Sequence, residues 1–168
     1  MKFNKKINIG KKLISENSRT FVIAEAGVNH GGNMEIAKQL IDLAVKAKAD
    51  AVKFQTFKTE HLILSDIQKA PYQKKTTDAG ETQFDMLKKL EVSKEQNLEL
   101  KQYCAEKGII FLTTPFDEES LEEVDELDLP AYKIASTDTT NLPFLGKIAK
   151  KGKPIFLSTG MSYLSEVR

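Results

Sequence analysis

The sequence is poor in the residues that would indicate a disulfide-bonded, metal-binding or nucleic-acid-binding protein. Its one cysteine, Cys104, excludes an internal disulfide and is typical of a reducing compartment, so we predict a cytoplasmic location. The two histidines, His30 and His61, have no spacing that matches a local metal motif, and we predict no complete metal site within these residues. The formal net charge of +1 provides no general attraction to nucleic acid or to an anionic membrane.

Long apolar segments are missing as well. No apolar run reaches the roughly 18 residues that a transmembrane helix requires, and we predict no contact with a membrane. The first twelve residues contain five lysines, but no apolar region follows them as it would in a signal peptide. We therefore predict an N-terminal extension over residues 1–20 that is either frayed or folded into a β-hairpin.

The rest of the chain alternates between short apolar runs and amphipathic segments. Strand-like runs begin near Phe21, Ala51, Ile109, Ala131 and Pro154. Helical patterns cover residues 34–48, 93–107, 117–127 and 142–150, and a further one starts at 162, with predicted N-caps at Asn33, Ser93 and Asp117. This alternation is typical of right-handed βαβ units around a parallel sheet. The long segment 57–91, which follows the second strand, is typical of a lid or a binding loop.

Each predicted strand ends in a small polar cluster, and ligands bind at the carboxyl ends of parallel strands. Lys53 and Gln55 lie two positions apart and therefore project to the same face of their strand. Lys133 also lies in an apolar strand, where a charge is costly unless it meets a partner. Phosphate is the first candidate ligand for the two lysines. Structural salt bridges, or a Schiff-base lysine of the aldolase type, would also explain them.

A carboxylate and a glycine pair follow the first strand. Glu25 ends that strand, close to Asn29 and His30, and is suited to acid–base chemistry or to orienting a substrate hydroxyl. Gly31-Gly32 precedes a predicted helix and either offers free backbone N–H groups to an oxygen ligand or forms a simple turn. The pattern alone leaves both readings open.

Hydroxyl groups complete the predicted site. Thr114 and Ser158 follow the third and fifth strands, and Ser136 and Asp138 follow Lys133. Each hydroxyl alone is more often a helix cap. Their joint occurrence at strand ends favours a shared site for an anion.

Together these motifs resemble the N-terminal part of the sialic acid synthase family, which includes the N-acetylneuraminate, legionaminic acid and pseudaminic acid synthases. The similarity extends from about Phe21 to the last residue, and the matching stretches are residues 23–32, 52–55, 111–117, 132–136 and 157–161. The resemblance implies an α/β fold, namely a partial (β/α)8 TIM barrel of about five parallel βα units. Residues 21–168 would form the N-terminal portion of that barrel.

The resemblance also implies a reaction and roles for the predicted site residues. Such enzymes condense phosphoenolpyruvate with an N-acylated mannosamine-type amino sugar and release phosphate, using a divalent metal ion, Mn or Mg, that activates the sugar aldehyde. Glu25 is implied to be a catalytic carboxylate, and Asp138 a sugar contact in a context more similar to the legionaminic branch. The implied substrate-binding residues, mainly for phosphoenolpyruvate, are Lys53, Gln55, Thr114, Lys133, Ser136 and Ser158.

We expect this chain to be about the first half of such an enzyme, as a natural truncation, a split gene product or an incomplete sequence. The metal ligands, two histidines of later strands, would lie outside it, and the full-length protein would be a homodimer. We therefore expect no turnover by this chain alone. Two other classes stay open from the residues: a non-enzymatic flavodoxin-like domain with strand order 2-1-3-4-5, and an interaction domain that completes a barrel with another chain.

Overall fold

A computed structural model describes residues 4–65 and 82–167 of the chain. Its strands are β1 (Lys6–Ile9), β2 (Lys12–Ser15), β3 (Ile23–Gly27), β4 (Ala51–Thr56), β5 (Ile110–Pro115), β6 (Tyr132–Ile134) and β7 (Ile155–Leu157). Its helices are α1 (Met34–Lys46), α2 (Thr59–Leu62), α3 (Gln83–Lys88), α4 (Lys94–Lys107), α5 (Glu118–Glu126), α6 (Leu142–Lys150) and α7 (Leu164–Val167), with a 3-10 turn at Ser136–Asp138. The predicted lid over 57–91 lies partly outside the described residues.

The helix ends follow from local hydrogen bonding. Asn33 caps α1 by accepting from the backbone N–H groups of Glu35 and Ile36. Ser93 and Gln96 form a capping box at the start of α4, and Gly108 ends that helix with a φ of 73°. These three predictions are confirmed, because a short polar side chain before a helix and a glycine after it have few other stable uses.

The strand order decides between the two α/β architectures. Strand β4 pairs in parallel with β3 on one side and with β5 on the other. Strand β6 pairs in parallel with β7, and β5 lies beside β6. The parallel strands therefore follow one another in chain order, whereas a flavodoxin-like sheet would place β3 between β4 and β5. The prediction of a partial barrel is confirmed, and the flavodoxin-like alternative is wrong.

The two faces of the sheet differ in character. Val52 and Phe54 of β4 are buried in the core formed with helices α1 and α4. Cys104 of α4 belongs to the same core, and burial raises the pKa of its thiol to about 12, as expected for an unreactive buried cysteine. Lys53 and Gln55 alternate with the core residues and project to the opposite face, which is the inside of the barrel.

The N-terminal segment forms an antiparallel hairpin in which β1 pairs with β2. Ile9 is buried against Ala51, Leu112 and Ala131, which lie in the first halves of their strands or just before them. The buried carboxylate of Asp50, just before β4, binds both Lys12 and Arg19. The hairpin thus closes the amino-terminal end of the sheet and leaves the carboxyl end open. The domain boundary at residue 20 stays a prediction.

Candidate active site

Lys53 lies where three neighbouring strands meet. Its Nζ is 2.9 Å from Oε2 of Glu25 on β3 and 3.3 Å from Oγ1 of Thr114 on β5. Lys53 is 5% exposed, whereas the Glu25 side chain is 57% exposed. The structure thus brings together three predicted site residues, with the ammonium group buried and the carboxylate open to solvent.

Lys133 forms a second cluster on the next pair of strands. Its Nζ donates to Oγ of Ser158 at 2.6 Å and to the carbonyl oxygen of Ile134 at 2.7 Å. Ser158 comes directly after β7, and its backbone N–H donates to Ile134 at 3.1 Å, which extends the ladder by one bond. Both predicted lysines therefore have a hydroxyl partner at the end of an adjacent strand.

The two lysines act on one another electrostatically. Burial lowers the pKa of Lys133, the positive charge of Lys53 lowers it further, and the charge of Glu25 opposes both effects. The ammonium groups of Lys53 and Lys133 and the carboxylate of Glu25 therefore lie within electrostatic range of one another. An anion in this site would relieve the repulsion between the lysines, so the geometry favours a ligand that carries more than one negative charge.

The side chains of Gln55 and Glu25 both lie close to Gly27, a glycine of the first motif whose role was not predicted from the sequence. Gly27 has a φ of 55°, and a Cβ added there would lie 3.2 Å from Oε1 of Glu25 and 3.6 Å from Nε2 of Gln55. The register between β3 and β4 also shifts between Glu25 and Gly27. A glycine here lets both polar side chains stand close together at the strand end.

Ser136 and Asp138 lie in the turn after β6. A Cβ added at Gly160 would be 3.4 Å from Oγ of Ser136, so the loop after β7 packs directly on this serine. The Asp138 carboxylate is buried and accepts from Nδ2 of Asn141 at 3.1 Å and from Oγ1 of Thr137 at 3.4 Å. Its contacts in this structure are within its own loop, and the predicted contact with a sugar stays a prediction.

The glycine pair after β3 is a packing element. The backbone N–H of Gly32 donates to Nδ1 of His30 at 3.0 Å, and a Cβ at Gly32 would lie 2.2 Å from the carbonyl oxygen of Lys89. Burial lowers the pKa of His30, so its ring is neutral at neutral pH. These contacts favour the turn reading of Gly31-Gly32, because the N–H of Gly32 has an internal partner and the loop needs glycine to approach residue 89.

No three His, Cys, Asp or Glu side chains come together as metal ligands within residues 4–65 and 82–167. His61 lies near two carboxylates, with Nδ1 3.4 Å from Oδ1 of Asp117 and Nε2 3.9 Å from Oε2 of Glu119. Asp117 already caps α5 and accepts from both the backbone and the hydroxyl of Ser120. Every helix within residues 4–65 and 82–167 is too short or too polar to span a lipid bilayer.

Comparison of the sequence with those of known proteins identifies the family to which this chain belongs. The model described as the NeuB family matches residues 40–168. This chain belongs to the NeuB family. An N,N'-diacetyllegionaminic acid synthase of Campylobacter jejuni is 49% identical over 149 residues, which cover 89% of this NeuB-family chain and 45% of that protein. One of Legionella pneumophila is 44% identical and covers 98% of the chain and 46% of its own length.

A solved structure of a related protein has the same fold as this NeuB-family chain. The N-acetylneuraminic acid synthetase of Leptospira borgpetersenii, crystallised in complex with citrate, superposes with a TM-score of 0.81 at 34% identity. The match covers 96% of this chain and 52% of that one. The chain thus spans about half the length of the relatives it matches. The predicted membership of the sialic acid synthase family is confirmed.

Proposed function

We propose that this chain is the N-terminal part of a nonulosonic acid synthase, which joins phosphoenolpyruvate to an N-acylated mannosamine-type sugar and releases phosphate. The observation that carries the proposal is that Lys53 and Lys133 lie within electrostatic range of one another, each with a hydroxyl partner at the end of an adjacent strand. Phosphoenolpyruvate carries a phosphate and a carboxylate, which matches two separated ammonium groups better than a single-charge ligand does.

Each lysine would donate a charge-assisted hydrogen bond to one of the two anionic groups, worth about 1.5–3 kcal/mol. Thr114, Ser136 and Ser158 would donate from their hydroxyl groups to the remaining oxygens. Gln55 and Asp138 lie at the same open end of the sheet, where the sugar would enter. The lowered pKa of Lys133 supports anion binding over an ordinary surface salt bridge, since no carboxylate of the described residues pairs directly with its ammonium group.

Glu25 is the carboxylate best placed for proton transfer. In the proposed reaction C3 of phosphoenolpyruvate attacks the sugar aldehyde, water adds at C2, and the tetrahedral intermediate expels phosphate. A carboxylate beside the phosphoenolpyruvate site can take the proton that the attacking water loses. Glu25 is exposed and held by a buried lysine, so ligand binding at Lys53 would leave its oxygens available for this step.

The complete protein would use a divalent metal ion, Mn or Mg, to activate the aldehyde. By the resemblance, its ligands would be two histidines of later strands outside this chain, and we derive no step through the metal. A homodimer and a cytoplasmic location also stay predictions. In the complete protein, the remaining strands would pair with the edges of β3 and β7 that have no strand partner among the described residues. We therefore propose that the chain alone does not turn over.

The proposal is tested with two proteins: the 168-residue chain, and a chimaera in which it replaces the matching half of the Campylobacter jejuni synthase. Both are incubated with phosphoenolpyruvate, manganese and a series of N-acylated mannosamine-type sugars. We expect phosphate release that depends on the sugar in the chimaera and none in the chain alone. A chimaera that folds but releases no phosphate would contradict the proposed reaction, and turnover by the chain alone would contradict its need for the second half.

A further inference from the structure

A buried hydroxyl lies between the ends of β6 and β7. Oγ1 of Thr139 is 3.0 Å from the carbonyl oxygen of Ser136 and 2.8 Å from the carbonyl oxygen of Ser158. Thr139 is 4% exposed, so water cannot take over these contacts readily. A hydroxyl has one hydrogen, which the two carbonyls share. One side chain thus connects the turn after β6 to the end of β7.

The two carbonyls belong to residues whose side chains line the proposed site. The hydroxyl of Ser158 accepts from Nζ of Lys133 at 2.6 Å. The Oγ of Ser136 faces Gly160 on the loop after β7. A shift of either backbone would therefore move a group that we assign to anion binding.

Within the turn, the backbone N–H of Thr139 also donates to the carbonyl oxygen of Ser136 at 3.3 Å, but few backbone hydrogen bonds of the described residues connect the turn to the end of β7. Strands β6 and β7 have three residues each, and their pairing ends with the bond from Ser158 N–H to Ile134. The turn that carries Thr139 is fixed from behind, because the Asp138 carboxylate accepts from Nδ2 of Asn141. Asn141 also caps α6 through its Oδ1, which accepts from the N–H of Phe144. Helix α6 therefore fixes the position of the turn through Asn141, and the turn fixes the position of the Thr139 side chain.

We infer that Thr139 is a positioning residue that fixes Ser158 against Lys133 and thereby shapes the anion site. It does not touch the ligand itself. The part of this inference that concerns ligand binding rests on the proposed function, whereas the part that concerns the geometry of Lys133 does not. No feature of the sequence distinguishes Thr139 from its neighbours Thr137 and Thr140.

The first test needs no ligand. The chimaera is treated with a limiting amine-acetylating reagent, and the acetylation rate of each lysine is measured by mass spectrometry for the wild type, Thr139→Val, Thr139→Ser and Thr140→Val. Thr140 is an exposed neighbour and Lys150 an exposed internal reference. We expect Lys133 to react several-fold faster in Thr139→Val, because a displaced Ser158 would leave its ammonium less shielded. Thr139→Ser and Thr140→Val should match the wild type.

The second test measures the affinity of the same four proteins for phosphoenolpyruvate and for inorganic phosphate by titration calorimetry. We expect about a tenfold loss of phosphoenolpyruvate affinity in Thr139→Val and recovery in Thr139→Ser. An unchanged Lys133 rate in Thr139→Val, relative to that of Lys150, overturns the positioning role. A faster Lys133 with no binding by the wild type would count against the proposed function alone, and a faster Lys133 with unchanged affinity would show that Thr139 does not shape the anion site.

Discussion

The central strand β4 and the last strand β7 are both parallel strands with apolar side chains, but they differ in how completely the chain covers them. On β4, Val52 is 1% exposed and Phe54 is not exposed at all, whereas on β7 Ile155 is 38% exposed and Leu157 is 41% exposed. Strand β4 has a partner on each side, and β7 pairs only with β6 among the described residues. Apolar strands of the same kind are therefore buried at β4 and partly exposed at β7 in the described part of the chain.

The two lysines of the proposed site also differ in how completely the chain provides them with partners. Lys53 lies on β4 and has one side-chain partner on each neighbouring strand, and the partner on β3 is a carboxylate. Lys133 lies on β6, is half-buried, and bonds to a hydroxyl and a carbonyl. Its pKa is lowered because burial removes water and because the positive charge of Lys53 adds to that effect, while the charge of Glu25 opposes both. The chain thus gives the ammonium group of Lys53 a carboxylate partner, whereas the ammonium group of Lys133 has only neutral hydrogen-bond partners among the described residues.

The largest effect that we expect from this contrast concerns the chain in isolation. The open edge at β7 and the groove of about 230 Å³ beside β3, which is lined by Ala24, Leu40, Leu43 and other apolar residues, expose surface that would be covered in a complete barrel. We expect the isolated chain to form oligomers in size-exclusion chromatography and to melt over a broad range. The chimaera should elute as one species and melt cooperatively. A monodisperse isolated chain with a sharp melt would show that residues 1–168 are a self-sufficient domain.

Substitution of the two lysines should have the next largest effect. In the chimaera, Lys53→Ala and Lys133→Ala should each raise the KM for phosphoenolpyruvate or lower kcat/KM by roughly 10- to 150-fold, the equivalent of about 1.5–3 kcal/mol. Lys53→Ala should have the larger effect, because it also leaves Glu25 without its partner. Lys150→Ala, which removes an exposed lysine of α6, is the control and should behave as the wild type. Near-normal kinetics in both site variants would refute the assignment of the lysines.

The sequence predicted the parts of this molecule that depend on local chemistry. The caps at Asn33 and Ser93, the stop at Gly108 and the strand that carries Lys53 follow from short-range patterns, and the polar strand ends meet because parallel strands share an edge. Other features needed the fold. Gly27 and Thr139 contact residues that are adjacent only after the strands pair, and Gly32 requires the position of residue 89. Nothing in the spacing of these residues encodes those distances.

The smallest expected effect is a pH dependence that separates the two lysines. The folded-state pKa of Lys133 lies below its ordinary value of 10.5, so Lys133 in the free protein loses its proton at a lower pH than an unfolded lysine would. Sulfate keeps its charge throughout this range. Its affinity for the wild-type chimaera should therefore fall as pH rises through the lowered pKa, by at most about tenfold per pH unit for a single ionisation.

The stability of the ligand-free chimaera should change in the opposite direction over the same window. Between the lowered pKa and 10.5 the unfolded state binds more protons at Lys133 than the folded state does, so this group's contribution to the free energy of unfolding rises with pH. Sulfate titrations and urea unfolding at a series of pH values measure the two trends. The matched control is Lys133→Met, which keeps the aliphatic chain and removes the ionisation, and the difference between the wild type and this variant gives the part of each trend that is due to Lys133. If Lys133→Met retains the wild-type pH dependence of sulfate binding, the charge that the ligand satisfies lies elsewhere, and the contrast between the two lysines is wrong.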